Sequence, residues 1–352
     1  MQDHVAVRSS EKFPAAGTRT GGPFPEIGLS DVLERRWLHY AFLSRDGRYS
    51  LVANSAWLGS ADGNRENTAR TTILLLHERG GPWISSQFNA ATSQPLWSAF
   101  RQPHMHGVGT PLRIGSVAGT PRVDLKLLRT SNPCTSQCAP FARDHHLRWQ
   151  SETGVRATGQ WHLDERAVEV DAVGYHERVR GRWGWPELDE WVFGFANDLE
   201  AEGTAPPAWA GVFTFIKPRW PDDSATASFM LWHDGRLRRH FPRRNVSFAV
   251  RGMLDRDRVT QTPPLSRLFG VAPMAPVPSR LVISARQGDD WAVLDFESEA
   301  AARIVIPSET SLLPFSVNEV VGPCILSGQL NGTRFEITTR GIVEFSGGAG
   351  GD

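Results

Sequence analysis

The stretch WLHYAFLSRDGRYSLVANSAWL, residues 37–58, reads as two β-rich runs hinged on Asp46-Gly47. Asp-Gly between such runs is the strongest short-range hairpin signal, because both residues tolerate the positive φ that a tight hairpin turn needs. The arrangement recurs along the chain. TILLLHE and WISSQF flank Gly80-Gly81, and SFMLWH and RLRRHF flank Asp234-Gly235. RLVISARQ and WAVLDFE flank Gly288-Asp289, and CILSGQL and TRFEITT flank Asn331-Gly332. VRATGQWHL (155–163) and RAVEVDAVGY (166–175) straddle Asp164-Glu165, and AWAGVFTFIKP (208–218) adds one more strand. Helical periodicity is scarce, and no repeat of a solenoid or propeller is visible. The expected fold class is all-β, with two sheets or barrels of about eight strands each.

Length and composition set the frame around these hairpins. At a prior of about 150 residues per domain, 352 residues make two domains or one large one. Residues 1–30 are rich in Gly, Pro, Ser and charge and read as an arm. The run DLEAEGTAPPA (198–208) is the expected break, giving β-domains at 31–198 and 209–346, a linker at 199–208 and a tail at 347–352. Lys+Arg and Asp+Glu are 38 each, so the footprint of a nucleic-acid or anionic-membrane binder is missing. MQDHVAVRSSEKF carries no apolar core of a secretory signal, and no stretch approaches the roughly 18 apolar residues of a membrane span. The expected location is cytoplasmic. Cys134, Cys138 and Cys324 are an odd, sparse set that argues against a disulfide framework. Oligomeric state is not legible.

The densest chemistry lies in Gly174-Tyr175-His176-Glu177-Arg178-Val179-Arg180-Gly181, followed by Trp183, Trp185, Glu190 and Trp191. On a strand, Tyr175, Glu177 and Val179 share one face while His176, Arg178 and Arg180 share the other. A Trp-walled interior on the first face would desolvate Glu177, raise its pKa and make it a general acid. The alternative is an ion pair between Glu177 and a neighbouring arginine that closes a barrel rim. Ser85-Ser86-Gln87-Phe88-Asn89 leads into Trp97-Ser98, and its alternating polar groups either face a cavity or form an ordinary strand surface. Cys134 and Cys138 with His145 and His146 do not match a usual zinc spacing, and His104-Met105-His106 reads as surface, so no metal is expected. The basic run Arg236–Arg244 reads as a solvated strand, since alternation sends its arginines to different faces. No G-x-S-x-G elbow, Walker A loop or G-x-G-x-x-G fingerprint is present, which disfavours the enzymes built on them.

The order G-Y-H-E-R-V-R-G (174–181), then W-V-F-G (191–194), resembles the signature of the lipocalin-like superfamily of AttH proteins, carotenoid 1,2-hydratases, tocopherol cyclases and lipocalin-like Diels–Alderases. The runs at 34–51, 145–175 and 318–345 are similar to that family's first hairpin, the strand pair before the signature, and the closing strands. Tyr175, His176, Gly181 and Trp191 match. Glu177 stands where the family usually has Asp, Arg178 and Val179 replace a common His-Asn pair, and Arg180 replaces Trp. The resemblance implies two lipocalin-like β-domains packed together, with an apolar ligand within or between them. It implies a cofactor-independent cyclase for a polyene, polyketide or terpenoid, working by cycloaddition or by protonation; a hydratase and a non-catalytic binder of apolar ligands are the alternatives. The implied catalytic residues are Glu177, Tyr175 and His176. The candidate substrate contacts are Trp57, Gln87, Asn89, Trp97, Arg178, Trp183 and Trp191, and the expected partner is a small apolar molecule, with no nucleic acid.

Overall fold

Local turn chemistry sets the strands. The computed structural model describes residues 34–58, 69–89, 110–115, 121–132, 135–140, 145–163, 166–201, 203–219, 225–262, 276–306 and 315–348. In chain order the strands are β1 Glu34–Ser44, β2 Tyr49–Leu58, β3 Ala69–Glu78, β4 Trp83–Asn89, β5 Thr110–Gly115, β6 Pro121–Arg129 and β7 Thr135–Pro140. They continue as β8 His146–Leu163, β9 Arg166–Arg182, β10 Leu188–Asn197, β11 Trp209–Pro218, β12 Thr226–His233, β13 Arg236–Pro242 and β14 Val246–Arg251. The last are β15 Val259–Gln261, β16 Arg280–Gln287, β17 Asp290–Glu297, β18 Ala300–Ile306, β19 Phe315–Leu330 and β20 Thr333–Gly348. All five hairpins expected from their turn residues form. At Asp234-Gly235 and Asn331-Gly332 both central residues have positive φ, from 49° to 81°. That is the turn whose twist matches paired strands.

The strands make two curled antiparallel sheets, as expected of two lipocalin-like β-units packed together. The first runs β4-β3-β2-β1-β9-β8-β6-β5 with β7 on β8. The second runs β13-β12-β11-β10-β20-β19-β17-β16-β14, with β18 on β19 and β15 on β18. Among the described residues no helix is long and apolar enough to cross a membrane.

The central strands are buried on both faces, and alternation assigns each face to a different core. Along β1, Leu38, Tyr40 and Phe42 enter the core enclosed by the first sheet. Trp37, Ala41 and Leu43 point the other way, toward the second sheet. In β10, Val192 and Ala196 enter the second sheet's own core, while Trp191, Phe193 and Phe195 point back at the first sheet. Between the sheets lies a seam with an apolar body. Asn197, fully buried, stitches it: its amide nitrogen donates to the Gly174 carbonyl at 3.0 Å, and the Thr153 hydroxyl donates to its Oδ1 at 2.8 Å.

Sheet membership shows where the chain passes from one sheet to the other. β10 pairs with β11 and β20 of the second sheet, so the crossing falls between β9 and β10, at 183–187. The polar, Pro-rich run at 198–208 joins two neighbouring strands of one sheet. Its composition is that of a loop, and a loop inside a sheet looks the same in sequence as one between domains.

Candidate functional site at the seam

The seam holds acids where the strand pattern calls for apolar residues. On β9, Tyr175 and Glu177 face the second sheet, as alternation requires. Glu177 is buried, and Trp37 Nε1 donates to its Oε1 at 3.2 Å. The Tyr175 hydroxyl donates to Oε2 at 2.8 Å and lies 2.7 Å from Ser151 Oγ. No arginine pairs with Glu177 among the described residues, so the ion-pair reading does not apply. From the second sheet come Glu319 of β19 and Glu344 of β20, which are cross-strand partners. Trp191 Nε1 donates to Glu344 Oε1, and Ser346 Oγ lies 3.3 Å from the same oxygen. Oε2 of Glu319 has no partner among the described residues. His39 of β1, the register partner of Glu177, completes the group.

Burial without a compensating cation sets the protonation of this cluster. Desolvation pushes Glu177 up to about 7, against the two donors that favour its carboxylate, and the Glu344 charge adds to the rise. Glu344 is likewise pushed up to about 7 by burial, and Glu319 well above the usual carboxylate range by burial and by Glu344. Burial drives His39 down to about 4, so its ring is neutral. His39, Glu319 and Glu344 present nitrogen and oxygen atoms within 4.8 Å of one another. Among the described residues they are the group with metal-ligand spacing. Burial raises both carboxyls, and Glu344 raises Glu319 further, so the pair favours holding a proton.

Tryptophans close one end. Trp37 meets Trp183 edge-on at 5.3 Å between ring centroids and Trp191 at 5.9 Å, and Trp185 stands 6.0 Å from Trp191. The Arg35 guanidinium lies over the Trp185 ring at 4.9 Å, so these faces already accept a cation. The signature's two glycines are structural. A Cβ at Gly174 would lie 1.9 Å from the Ala41 carbonyl, and one at Gly181 2.0 Å from that of His146. Each lets a neighbouring strand pass close beside the acid.

The structure thus brings together Glu177, Tyr175, Trp183 and Trp191. It sends His176 and Arg178 to the opposite face. There His176 stacks on Tyr40 at 4.2 Å, and its Nδ1 lies 2.9 Å from the His39 carbonyl. Gln87 is exposed on β4, the edge strand of the first sheet. Trp97 and the side chains of Trp57 and Asn89 lie outside the described residues, as do Cys134 and His104-Met105-His106. Cys138 is exposed, and His145 pairs with Glu187. In the basic run, Arg236, Arg238 and His240 are exposed while Arg239 turns in to Asp290 at 3.1 Å. Trp37, His39, Glu319 and Glu344 were not singled out in the sequence. Their signal is a titratable residue in the middle of an otherwise apolar strand, as in WLHYAF, SVNEVV and GIVEF.

Comparison with solved structures now has a geometry to meet. An AttH-like protein from Nitrosomonas europaea superposes with a TM-score of 0.53 at 13% identity, over 89% of this chain and 92% of that one. The chain shares its fold with that protein. CghA gives a TM-score of 0.51 at 11% identity, covering 91% of this chain and 90% of its own. Kievitone hydratase from Nectria haematococca gives 0.48 at 9%, covering 90% and 89%. At such identities the likeness is one of fold. No family model and no curated protein matches the sequence.

Proposed function

We propose that the protein is an enzyme that takes a small apolar substrate at the seam and protonates it from Glu177, leading to cyclisation or to addition of water. One observation carries this reading: a buried carboxyl, pushed up to about 7 by desolvation, whose only hydrogen-bond partners among the described residues are Trp37 and Tyr175. Such a group holds its proton in about half of the molecules at pH 7 and in most of them just below it. After giving up its proton to an alkene it becomes a carboxylate that two donors already face, so the charged product of the transfer is stabilised in place. The neighbouring Trp faces would attract the developing carbocation by about 1–2 kcal/mol each when desolvated. Glu319 and Glu344, both raised by burial beside it, are a source from which Glu177 regains its own proton. CghA, a Diels–Alderase, has the same fold, which supports cyclisation as the outcome.

The test compares wild-type and E177Q protein incubated with extract of the native host, with products resolved by mass spectrometry and chirality. General-acid catalysis contributes about 10²–10⁴-fold, so E177Q is expected to lose at least a hundredfold in rate. Near-wild-type turnover by E177Q would leave a shape-driven cycloaddition. A ligand that is retained but never changed in mass, ring count or stereochemistry would make the protein a carrier.

A further inference from the structure

At the end of the seam away from the tryptophans, where Arg340 pairs with Asn197, the sheets close over a second polar group that the proposed reaction does not use. His77 of β3 and Trp83 of β4 are cross-strand partners with rings 4.9 Å apart, and both are buried. Among the described residues neither ring nitrogen of His77 has a hydrogen-bond partner, nor does the indole nitrogen of Trp83. The Gly81 backbone stands near the imidazole but does not meet hydrogen-bond geometry. Arg340 of β20 arrives from the other sheet and is only 6% exposed. The β1–β2 turn packs on its stem: a Cβ at Gly47 would lie 3.1 Å from Arg340 Cδ.

The pairing of Arg340 is one-sided. Its Nη1 donates to Glu299 Oε2 at 2.8 Å, while Nε and Nη2 have no partner among the described residues. Nε–H and Nη2–H lie along one edge of the guanidinium and point the same way. That edge is the fork that accepts both oxygens of a carboxylate or another planar oxyanion. A buried fork without an acceptor is a large uncompensated cost in a folded protein. The local charge agrees. Arg79 and Arg340 share the single carboxylate of Glu299, at 3.4 and 2.8 Å, which leaves one positive charge over. Burial pushes the His77 imidazole down to about 4, with Arg340 acting in the same direction and Glu299 and Glu78 in the other. The ring is therefore neutral, with one N–H to donate.

We infer that Arg340, His77 and Trp83 form a binding site for a small planar oxyanion of the carboxylate class, held two-pronged by the Nε/Nη2 edge of Arg340 with the indole and imidazole N–H groups as further donors. Because His77 and Trp83 belong to one sheet and Arg340 to the other, the anion is a clamp across the seam. It stabilises the assembled pair of sheets by mass action.

The test uses formate, acetate, nitrate and chloride on the full chain at constant ionic strength. Thermal unfolding is followed for each, with ¹³C-formate line broadening as a direct readout on the wild-type protein. The site predicts a saturable rise in the unfolding midpoint with the three planar oxyanions, and formate broadening that acetate competes away. W83F, which keeps a ring and deletes one donor, should weaken half-saturation several-fold. R340K, which removes the fork and keeps the charge, should abolish saturation. A response linear in salt and equal for all four anions, saturation by chloride alone, or wild-type affinity in R340K would overturn the assignment. If R340K fails to fold, wild-type broadening together with W83F decides the matter.

Discussion

Replacing Glu177 by Gln should change the sign of its effect on stability with pH. The carboxyl titrates near 4.5 when exposed and at about 7 in the folded protein. Between those values the folded state holds a proton that the unfolded state has released, so stability falls as pH rises through the interval and is level on either side. The distance from 4.5 to about 7, at about 1.36 kcal/mol per pH unit, comes to about 3 kcal/mol. Gln carries no such slope but has its own fixed cost. Its NH2 takes the place of one of the two oxygens that Trp37 and Tyr175 separately address, so one donor loses its acceptor, which removes about 1–3 kcal/mol at every pH. E177Q should therefore be less stable than wild type at pH 4.5. It should gain about 3 kcal/mol on wild type by pH 8, with the curves crossing or meeting between. His39, held down to about 4, has the opposite slope, with stability lost as pH falls from 6.5 toward 4. It is present in both proteins and drops out of the difference. Urea denaturation at half-unit steps measures this directly. A wild-type-to-mutant difference that stays constant from pH 4.5 to 8 would refute the desolvated-acid reasoning.

Two further outcomes follow from the packing. G174A should fail to give soluble folded protein, because its Cβ would sit 1.9 Å from the Ala41 carbonyl and 2.6 Å from the Phe42 ring; a native-like circular dichroism melt would contradict this. N197A leaves the Thr153 hydroxyl and the Gly174 carbonyl without their partner, for about 2–4 kcal/mol in urea denaturation; a cost below 1 kcal/mol would show that Asn197 is not the stitch described.

What the sequence disclosed about this fold was local. Asp46-Gly47 and Asn331-Gly332 specify their turns within a few residues, and the strands follow on either side. Alternation along 175–179 was equally local, and it placed Glu177 with Tyr175 and apart from His176. The acid cluster was not legible, because its members come from β1, β9, β19 and β20. A strand buried on both faces has no polar side to show which way His39 or Glu344 points. The same two-sided burial hid the crossing between sheets. β10 follows the signature without any change in texture, and only its pairing with β20 reveals which sheet owns it.

That pairing orders events in time. The first sheet needs nothing beyond Arg182 to complete its ladders, and it can fold as soon as that strand has left the ribosome. β10 is made next, but Trp191 must wait for Glu344, 153 residues later. At roughly 5–20 residues per second this is a pause of about 8–30 s. During it the apolar back of β1 and β9 has no second sheet to cover it. The nascent chain is then most exposed to misassociation, and a chaperone that holds it through that interval should raise the yield of folded protein more than one that acts after release.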